Sequence, residues 1–271
     1  MNKEELLALA GQIATAAGQE ILQVYNNSEN IDVTVKTDDS PLTEADRRAH
    51  NLIVAQLQEQ TPDIPVLSEE SDQVSFEERR QWQRFWLVDP LDGTKEFIKR
   101  NGEFTVNIAL IEGGEPTLGV VHVPVTGVTY AGVVGAGATM TGGGDSRPIT
   151  CRAIQPGQSE LKVVASRSHP SPELEVLLKK LQDQFQDMEL VSMGSSLKIC
   201  LVASGEADLY PRLGPTSEWD TAAAHAVLAA AGGKIVDPEY ADLRYNSKES
   251  ILNPFFTAIA DSSYPWKDLL T

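Results

Sequence analysis

The sequence predicts a mixed α/β fold in which two sub-domains share a cleft. The run from Phe104 to about Met140 is β-rich, and its Gly and Pro turns are typical of an antiparallel meander. After a glycine-rich stretch near residue 145, strand and helix patterns alternate, as in α/β proteins. The 271 residues can bury a large core without any long linker. We therefore predict an N-terminal sub-domain, residues 1–145, and a C-terminal one, residues 146–271.

The N-terminal elements follow from hydrophobic periodicity and capping residues. In order, they are an amphipathic helix over residues 3–25, a strand over 31–36, a helix from a Thr43 cap to about Gln60, and two short buried strands. The first of these strands ends at Glu69 and Glu70, and the second ends at Asp89. Two strands that finish in carboxylates indicate a polar site at one edge of a sheet.

The C-terminal elements alternate between strand and helix patterns. They are a strand over residues 161–166, helices over 171–184 and 195–205, a strand over 207–212, a helix over 218–232 and a strand over 234–237. Because open α/β sheets bind ligands beyond their strand ends, we expect the segments that follow these strands to contact a substrate.

Composition restricts the partners and the compartment. The net charge of −17 disfavours a nucleic-acid surface, because phosphate backbones are bound by clustered Lys and Arg. Cys151 and Cys200 lack metal-ligand spacing, which fits a reducing compartment. The charged N-terminus does not resemble a signal peptide. We expect a cytoplasmic protein; the sequence leaves open whether it is a monomer or a homodimer, and whether it is peripheral on the inner face of the plasma membrane.

The stretch "DPLDG" places Asp89 and Asp92 in one turn, together with the Leu91 carbonyl. Oxygen-only ligands of this kind suit a hard cation such as Mg²⁺. If Asp89 bridges, Glu69 and Asp92 can each complete a separate ion, which is the paired-metal arrangement used in phosphoryl transfer. The alternative is a simple turn, since Asp, Pro and Gly all favour turns.

Gly93 and Thr94 come next and open a predicted helix. The free N–H groups at a helix start bind phosphate oxygens. Carboxylates that could bind metals and amides that could bind phosphate therefore occur together here. This combination favours a site for phosphate-ester hydrolysis over a turn without a chemical role.

Three segments resemble the signature segments of the lithium-sensitive, Mg²⁺-dependent inositol monophosphatase superfamily: "WLVDPLDGT", the preceding "SEES" and the later "EWDTAAAHAVLAAAGG". Within that superfamily, "DPLDGTKEF" and "KTDDSPLTEAD" are more similar to 3′(2′),5′-bisphosphate nucleotidases of the CysQ type than to inositol monophosphatases or fructose bisphosphatases. The resemblance implies a layered α/β/α/β/α fold of the sugar-phosphatase kind, with metals at the junction of the two sub-domains.

The resemblance also implies the roles of the acidic residues. Two or three Mg²⁺ ions would be bound by Glu69, Asp89, Asp92 and Asp220 and by the Leu91 carbonyl. The implied catalytic residues are Asp46, Thr94 and Glu69, with Asp46 and Thr94 orienting the attacking water. Asp46 and Asp220 have an alternative role as helix caps, because an acid in the first turn stabilises a helix.

The substrate-binding residues implied by the same resemblance are Gly93, Thr94, Ser166, His169, Ser195, Lys198, Arg212 and Asp220. His169 would lie near the base or ribose of a nucleotide. Ser195, Lys198 and Arg212 would lie near its second phosphate. The alternative interpretation is a set of helix caps, a solvated lysine and a surface arginine. His50 and His225 fall within helix patterns and are interpreted as structural.

The expected function is hydrolysis of adenosine 3′,5′-bisphosphate to AMP and phosphate, a step connected with sulfate assimilation. One alternative is an inositol or sugar-phosphate phosphatase. A different class of function is a catalytically silent, metal-stabilised regulatory module. A binding module has no need of a water-orienting Thr94, which favours an enzyme.

Overall fold

The structure, a computed structural model, describes residues 1–27, 33–35, 41–71, 74–165 and 172–270. Its helices are α1 Lys3–Asn27, α2 Glu44–Gln60, α3 Phe76–Arg79, α4 Thr94–Ile98, α5 Pro172–Gln184, α6 Leu197–Ala203, α7 Glu218–Ala230 and α8 Lys267–Leu270. Its strands are β1 Val33–Val35, β2 Pro41–Thr43, β3 Val66–Ser68, β4 Arg84–Asp92, β5 Thr105–Glu112, β6 Glu115–Val123, β7 Val128–Val133, β8 Gly137–Gly142, β9 Asp145–Ile149, β10 Glu160–Ala165, β11 Asp187–Ser192, β12 Leu209–Arg212, β13 Lys234–Val236 and β14 Phe256–Ile259.

The larger sheet contains strands β3 to β9 in sequence order. β3 pairs parallel with β4, and every later neighbour pairs antiparallel, as predicted for the meander. Successive side chains along β4 point to opposite faces, because the strand period is two. Trp86 and Val88 pack with α1 and α2, whereas Phe85 and Leu87 pack with α6 and α7. The larger sheet is therefore covered by helices on both faces.

The smaller sheet has the strand order β11-β10-β12-β14-β13. Its first three strands pair in parallel, and β14 is antiparallel to both of its neighbours. One face contributes Tyr210 and Ala258 to the core around α6 and α7. The other face packs Val163 and Leu209 against side chains of α5 and α8, with Trp266. Helices and sheets thus alternate in five layers, which confirms the predicted α/β/α/β/α fold.

Some elements of the smaller sheet were not predicted from the sequence, and the predicted sub-domain boundary falls inside a strand. Strands β11 and β14 were not predicted: β14 has only four residues, and the exposed residues of β11 obscure its periodicity. The predicted boundary between residues 145 and 146 lies inside β9, and the division into two sub-domains stays a prediction. No helix in the described part of the chain is both long and apolar enough to span a membrane.

Helix α7 lies directly on the larger sheet because two paired glycines leave room for its backbone. Gly119 of β6 is paired with Gly132 of β7. A Cβ atom at Gly119 would be 2.1 Å from the carbonyl oxygen of Ala223, and a Cβ at Gly132 would be 2.8 Å from the Cβ of Ala230. Since α7 carries Asp220 in its first turn, this close approach sets the height of Asp220 above the sheet.

We expect Gly119→Ala to lower the free energy of unfolding by about 2 kcal/mol or more, because the added methyl group must displace helix backbone rather than a flexible side chain. Urea denaturation would measure the change. Gly11→Ala is the matched control: a Cβ at Gly11 meets nothing within 4 Å, and alanine favours a helix interior by about 0.5–1 kcal/mol. Equal stability of the two variants would contradict the close packing.

Candidate active site

A one-residue bulge in β4 brings Asp89 and Asp92 to the same face of the larger sheet. Asp89 is paired with Asn107, but Asp92 is paired with Thr105, so three steps on β4 match two steps on β5. In a regular strand, residues three apart point to opposite faces. The extra residue cancels that alternation, and both carboxylates face the layer of α6 and α7. The prediction that this strand ends at Asp89 is therefore wrong: pairing continues to Asp92.

Glu69 follows the neighbouring strand β3 and lies beside Asp89. Glu69, Asp89, Asp92 and Asp220 are called the acidic cluster below. β3 runs parallel to β4, with Ser68 paired to Val88, and the Glu69 N–H donates to the Val88 carbonyl oxygen at 3.1 Å. Glu69 is therefore level with Asp89 on the adjacent strand, and the two carboxyl groups share a hydrogen bond. Parallel pairing explains why two strands that each finish in acids bring those acids together.

Asp220 approaches from the opposite side, on α7. It occupies the third position of that helix and belongs to a capping box with Ser217. Its Oδ2 accepts a hydrogen bond from the Ser217 N–H at 2.8 Å. The predicted alternative, a helix cap, is thus present. It occupies one carboxylate oxygen, and the side chain still lines the cavity described below.

The acidic cluster is electrostatically unfavourable without a cation. Burial, reinforced by the nearby Glu69, Asp92 and Asp220, raises the pKa of Asp89 well above its usual value. Burial also raises the pKa of Asp92 to about 6, although Lys198 and the Ser196 N–H oppose the shift. Burial and the charge of Asp92 raise the pKa of Asp220. Carboxylates in this state gain stability from any bound positive charge.

The donor set fits Mg²⁺ in its chemistry. All the predicted ligands are oxygens, from four carboxylates and the Leu91 carbonyl, which is the set that hard divalent cations prefer. Within the described residues, no group of three or more acidic, histidine or cysteine side chains is already gathered as a metal cage.

Asp46 and Thr94 are brought together although they are 48 positions apart in the sequence. Asp46 Oδ2 accepts hydrogen bonds from the N–H and the hydroxyl of Thr43, at 2.8 and 2.5 Å, and so caps α2. Its other oxygen, Oδ1, accepts a hydrogen bond from Thr94 Oγ1 at 3.3 Å. The predicted pair and its capping alternative therefore coexist, with one carboxylate oxygen for each.

Gly93 and Thr94 form a tight connection between β4 and the short helix α4. Gly93 has φ +92°, a conformation that favours glycine. A Cβ atom there would lie 3.1 Å from the Glu103 carbonyl oxygen and 3.3 Å from the Ser195 Cβ. Glycine therefore allows the β4–α4 connection to approach the turn before α6, where predicted substrate residues lie.

A cavity of about 540 Å³ joins the acidic cluster to a set of basic side chains. Its lining includes the acidic residues Asp92, Glu96, Glu103 and Asp220. Four basic residues also line it: Lys95, Lys99, Lys198 and Arg212. Lys95 in α4 and Lys99 at its C-cap were not predicted as site residues; their spacing of four residues was the available signal.

Lys198 and Arg212 are held in ways that suit an anion site. Lys198 is only 9% exposed, and burial lowers the pKa of its ammonium group, against the opposing effect of Asp92. Arg212 donates from Nη2 to the Pro215 carbonyl oxygen at 2.9 Å. Its Nε is buried, and no acceptor among the described residues bonds to it. Lys198 is therefore not the solvated lysine of the alternative interpretation, whereas Arg212 is only partly buried.

The remaining predicted residues have varied positions. Ser195 lines the cavity. The prediction of a helix over 195–205 is wrong at this residue: Ser195 has φ +47° and lies before α6. Ser166 and His169 lie outside the described residues. His225 is buried and shares a hydrogen bond of 3.0 Å with the Tyr245 hydroxyl, and His50 bonds Ser68 Oγ at 2.9 Å.

Comparisons with known proteins give matches over nearly the whole chain. A model of the inositol monophosphatase family matches residues 2–263. The chain is 53% identical over 245 residues to the 3′(2′),5′-bisphosphate nucleotidase CysQ of Escherichia coli O6:H1, covering 90% of this chain and 96% of that protein. It is 35% identical over 266 residues to the nucleotidase of the same name from Haemophilus influenzae, covering 98% and 97%.

A solved structure is also similar over nearly the whole chain. The crystal structure of CysQ from Bacteroides thetaiotaomicron, described as a bacterial member of the inositol monophosphatase family, has a TM-score of 0.83 and 44% sequence identity. The match covers 96% of this chain and 98% of that chain. Sequence and fold therefore agree on one family.

We expect Mg²⁺ to raise the melting temperature more at about pH 8 than at about pH 5.5. The raised pKa values of Asp89, Asp92 and Asp220 mean that the metal-free folded state is favoured when these groups are protonated. That stability is lost as the pH rises through the folded pKa values, and a bound cation restores it where the groups are ionised. Thermal melts in Mg²⁺ and in EDTA at both pH values measure the difference.

The matched variant for this experiment is Asp89→Asn, which removes one buried charge with little change in shape. It should melt at a higher temperature than the original chain in EDTA at about pH 8 and should respond less to Mg²⁺. A Mg²⁺ response that is equal at both pH values would argue against the carboxylates as the binding groups.

Proposed function

Because the chain belongs to the inositol monophosphatase family, we propose that it is a Mg²⁺-dependent 3′(2′),5′-bisphosphate nucleotidase that hydrolyses adenosine 3′,5′-bisphosphate to AMP and phosphate. The observation that carries this proposal is that one cavity is lined both by Asp92 and Asp220 and by Lys198 and Arg212. A substrate with two phosphates needs a hydrolytic site and a separate anion site. The relatives named CysQ support the same substrate class.

The proposed metal ligands are Glu69, Asp89, Asp92, Asp220 and the Leu91 carbonyl. They would hold two or three Mg²⁺ ions, in a family that is metal-dependent and typically uses Mg²⁺. When bound, Mg²⁺ supplies positive charge to phosphoryl oxygens and makes water more acidic. The oxygen-only donor set and the raised carboxylate pKa values support this assignment.

In the proposed mechanism, Asp46 and Thr94 orient the attacking water. Asp46 Oδ1 accepts the Thr94 hydroxyl proton in a hydrogen bond, so a lone pair of Thr94 Oγ1 stays available to accept from that water. The water oxygen attacks phosphorus, the phosphorus–oxygen ester bond breaks, and the leaving oxygen takes up a proton. The N–H groups of Gly93 and Thr94 would bind the scissile phosphate.

The second phosphate is assigned to basic side chains that line the cavity. Lys198 and Arg212 would hold it, with Ser195 beside them, because buried cations gain most from a paired anion. Ser166 and His169 remain predicted contacts of the nucleoside. A cytoplasmic location and a monomeric or homodimeric state also remain predictions.

A phosphate-release assay tests the proposal. We expect turnover in Mg²⁺ on adenosine 3′,5′-bisphosphate to exceed turnover on inositol 1-phosphate and on fructose 1,6-bisphosphate. Preference for either of the latter substrates would support the phosphatase alternative. Absence of turnover on all three, with Mg²⁺ binding intact, would support the silent regulatory module.

Thr94→Val should lower kcat about a hundredfold or more, because the variant keeps the shape but removes the hydroxyl that orients water. Mg²⁺-dependent stabilisation should persist, since the Thr94 side chain is not a proposed ligand. Thr94→Ser restores a hydroxyl and should recover part of kcat. Near-original kcat in Thr94→Val would refute the role of Thr94.

Lys198→Ala should raise KM for adenosine 3′,5′-bisphosphate about tenfold, because a charge-assisted hydrogen bond contributes about 1.5 kcal/mol or more. The change in kcat should be smaller. Lys179→Ala, at an exposed position on α5, is the control and should change neither constant. An equal loss on inositol 1-phosphate, which lacks a second phosphate, would assign Lys198 to the shared phosphate or to folding instead.

A further inference from the structure

Three polar side chains on one face of β5 and its preceding segment reach the turn formed by residues 194–196. Glu103 Oε2 accepts a hydrogen bond from the Gly194 N–H at 2.7 Å. Thr105 Oγ1 lies 2.9 Å from Ser196 Oγ. Ser196 Oγ donates to Asn107 Oδ1 at 2.8 Å. The spacing of two residues between these side chains is that of one face of a strand.

Glu103, Thr105 and Asn107, called the polar row below, precede the hydrophobic part of the same strand face. The next residues on the same face, Ala109 and Ile111, belong to the core beneath α6 and α7. Thr105, Asn107 and Ser196 are no more than 3% exposed. Buried polar groups cost stability unless they are paired. In this row their hydroxyl and amide groups bond to one another, so the row makes directional contacts where an apolar core would make none.

The turn that the row holds connects the two halves of the candidate active site. The Ser196 N–H donates to Asp92 Oδ2 at 2.5 Å, and the Asn107 amide approaches the same oxygen at 3.5 Å. On its other side, the turn leads into α6, which carries Lys198. The position of residues 194–196 therefore affects both a proposed metal ligand and a proposed phosphate contact.

The turn adopts a conformation that needs external support. Ser195 has φ +47°, a region that costs a non-glycine residue about 1 kcal/mol or more. A Cβ atom at Gly194 would lie 2.8 Å from the Glu103 carbonyl oxygen, so the two segments are in close backbone contact. Strained conformations persist where neighbouring groups hold them, and here the neighbours are Glu103, Thr105 and Asn107.

We propose that Glu103, Thr105 and Asn107 are positioning residues: they hold the 194–196 turn so that the Ser196 N–H orients the Asp92 carboxylate for catalysis. The proposal rests on the nucleotidase function proposed above and deepens it. Thr105 and Asn107 are buried, whereas Glu103 also lines the cavity; the role requires no contact between any of them and the substrate. Their effect reaches Asp92 through Ser196 and, for Asn107, also through its own amide group.

Thr105→Val and Glu103→Ala test the proposal, with Thr105→Ser and Glu103→Gln as conservative variants that keep a hydrogen-bonding group. Each protein is assayed for kcat and KM at saturating Mg²⁺. A thermal titration gives the Mg²⁺ concentration at which half of the maximal stabilisation is reached. Ser204→Ala, which removes a hydroxyl at the opposite end of α6, is the control.

For Thr105→Val and Glu103→Ala, we expect kcat to fall about tenfold and the half-stabilising Mg²⁺ concentration to rise about threefold or more. KM should change less than kcat. Thr105→Ser and Glu103→Gln should recover most of both losses, and Ser204→Ala should match the original chain. A fall in melting temperature with kcat and the Mg²⁺ titration unchanged would reduce the row to a structural role and overturn the proposal.

The kinetic assay depends on the proposed function, whereas the Mg²⁺ titration tests this proposal without it, so the two can fail separately. If the original chain does not hydrolyse adenosine 3′,5′-bisphosphate, the proposed function fails, but the Mg²⁺ titration still shows whether the row orients Asp92. If Thr105→Val does not fold, the Glu103 pair decides, because Glu103 is partly exposed and precedes the strand. Equal Mg²⁺ titrations for Glu103→Ala and the original chain would then overturn the proposal.

Discussion

The bulge between Asp89 and Asp92 is the constraint on which the candidate active site depends. It places two carboxylates on the face of the larger sheet that packs beneath α6 and α7. Without the extra residue, one of them would point into the opposite core among Trp86 and Val88. An ionised carboxylate in that core would have no partner, and a buried unpaired charge is costly. The bulge thus places both carboxylates where the proposed metal site lies.

In both Asp46 and Asp220, one carboxylate oxygen caps a helix, which leaves the other oxygen for a further contact. Asp46 caps α2 with Oδ2 and accepts from Thr94 with Oδ1. Asp220 caps α7 with Oδ2 while lining the cavity. A cap fixes the orientation of the side chain at the end of a rigid helix, which suits a group that must hold a defined position. The capping and catalytic interpretations therefore support each other.

Close backbone contacts keep the parts of the site at fixed distances. Gly119 and Gly132 let α7 rest on the larger sheet, which sets the position of Asp220. Gly93 and Gly194 let the β4–α4 connection and the turn before α6 approach the Glu103 carbonyl oxygen. Since these contacts involve backbone atoms, they cannot relax by a change of rotamer. Backbone contacts consequently help to position Asp220 and the turn that leads to Lys198 relative to the larger sheet.

Local patterns in the sequence determined which residues could carry chemistry. "DPLDGT", "SEES" and "EWD" identify the acidic residues, and periodicity identifies most of the helices and the meander. Only the tertiary structure decided how these residues meet. The bulge depends on strand register, and the row of Glu103, Thr105 and Asn107 depends on contacts between segments 89 to 91 positions apart. The Asp46–Thr94 pair was implied by the family resemblance, but its contact was not given by periodicity. Periodicity describes neighbours along a single element, so it contains no information about such pairings.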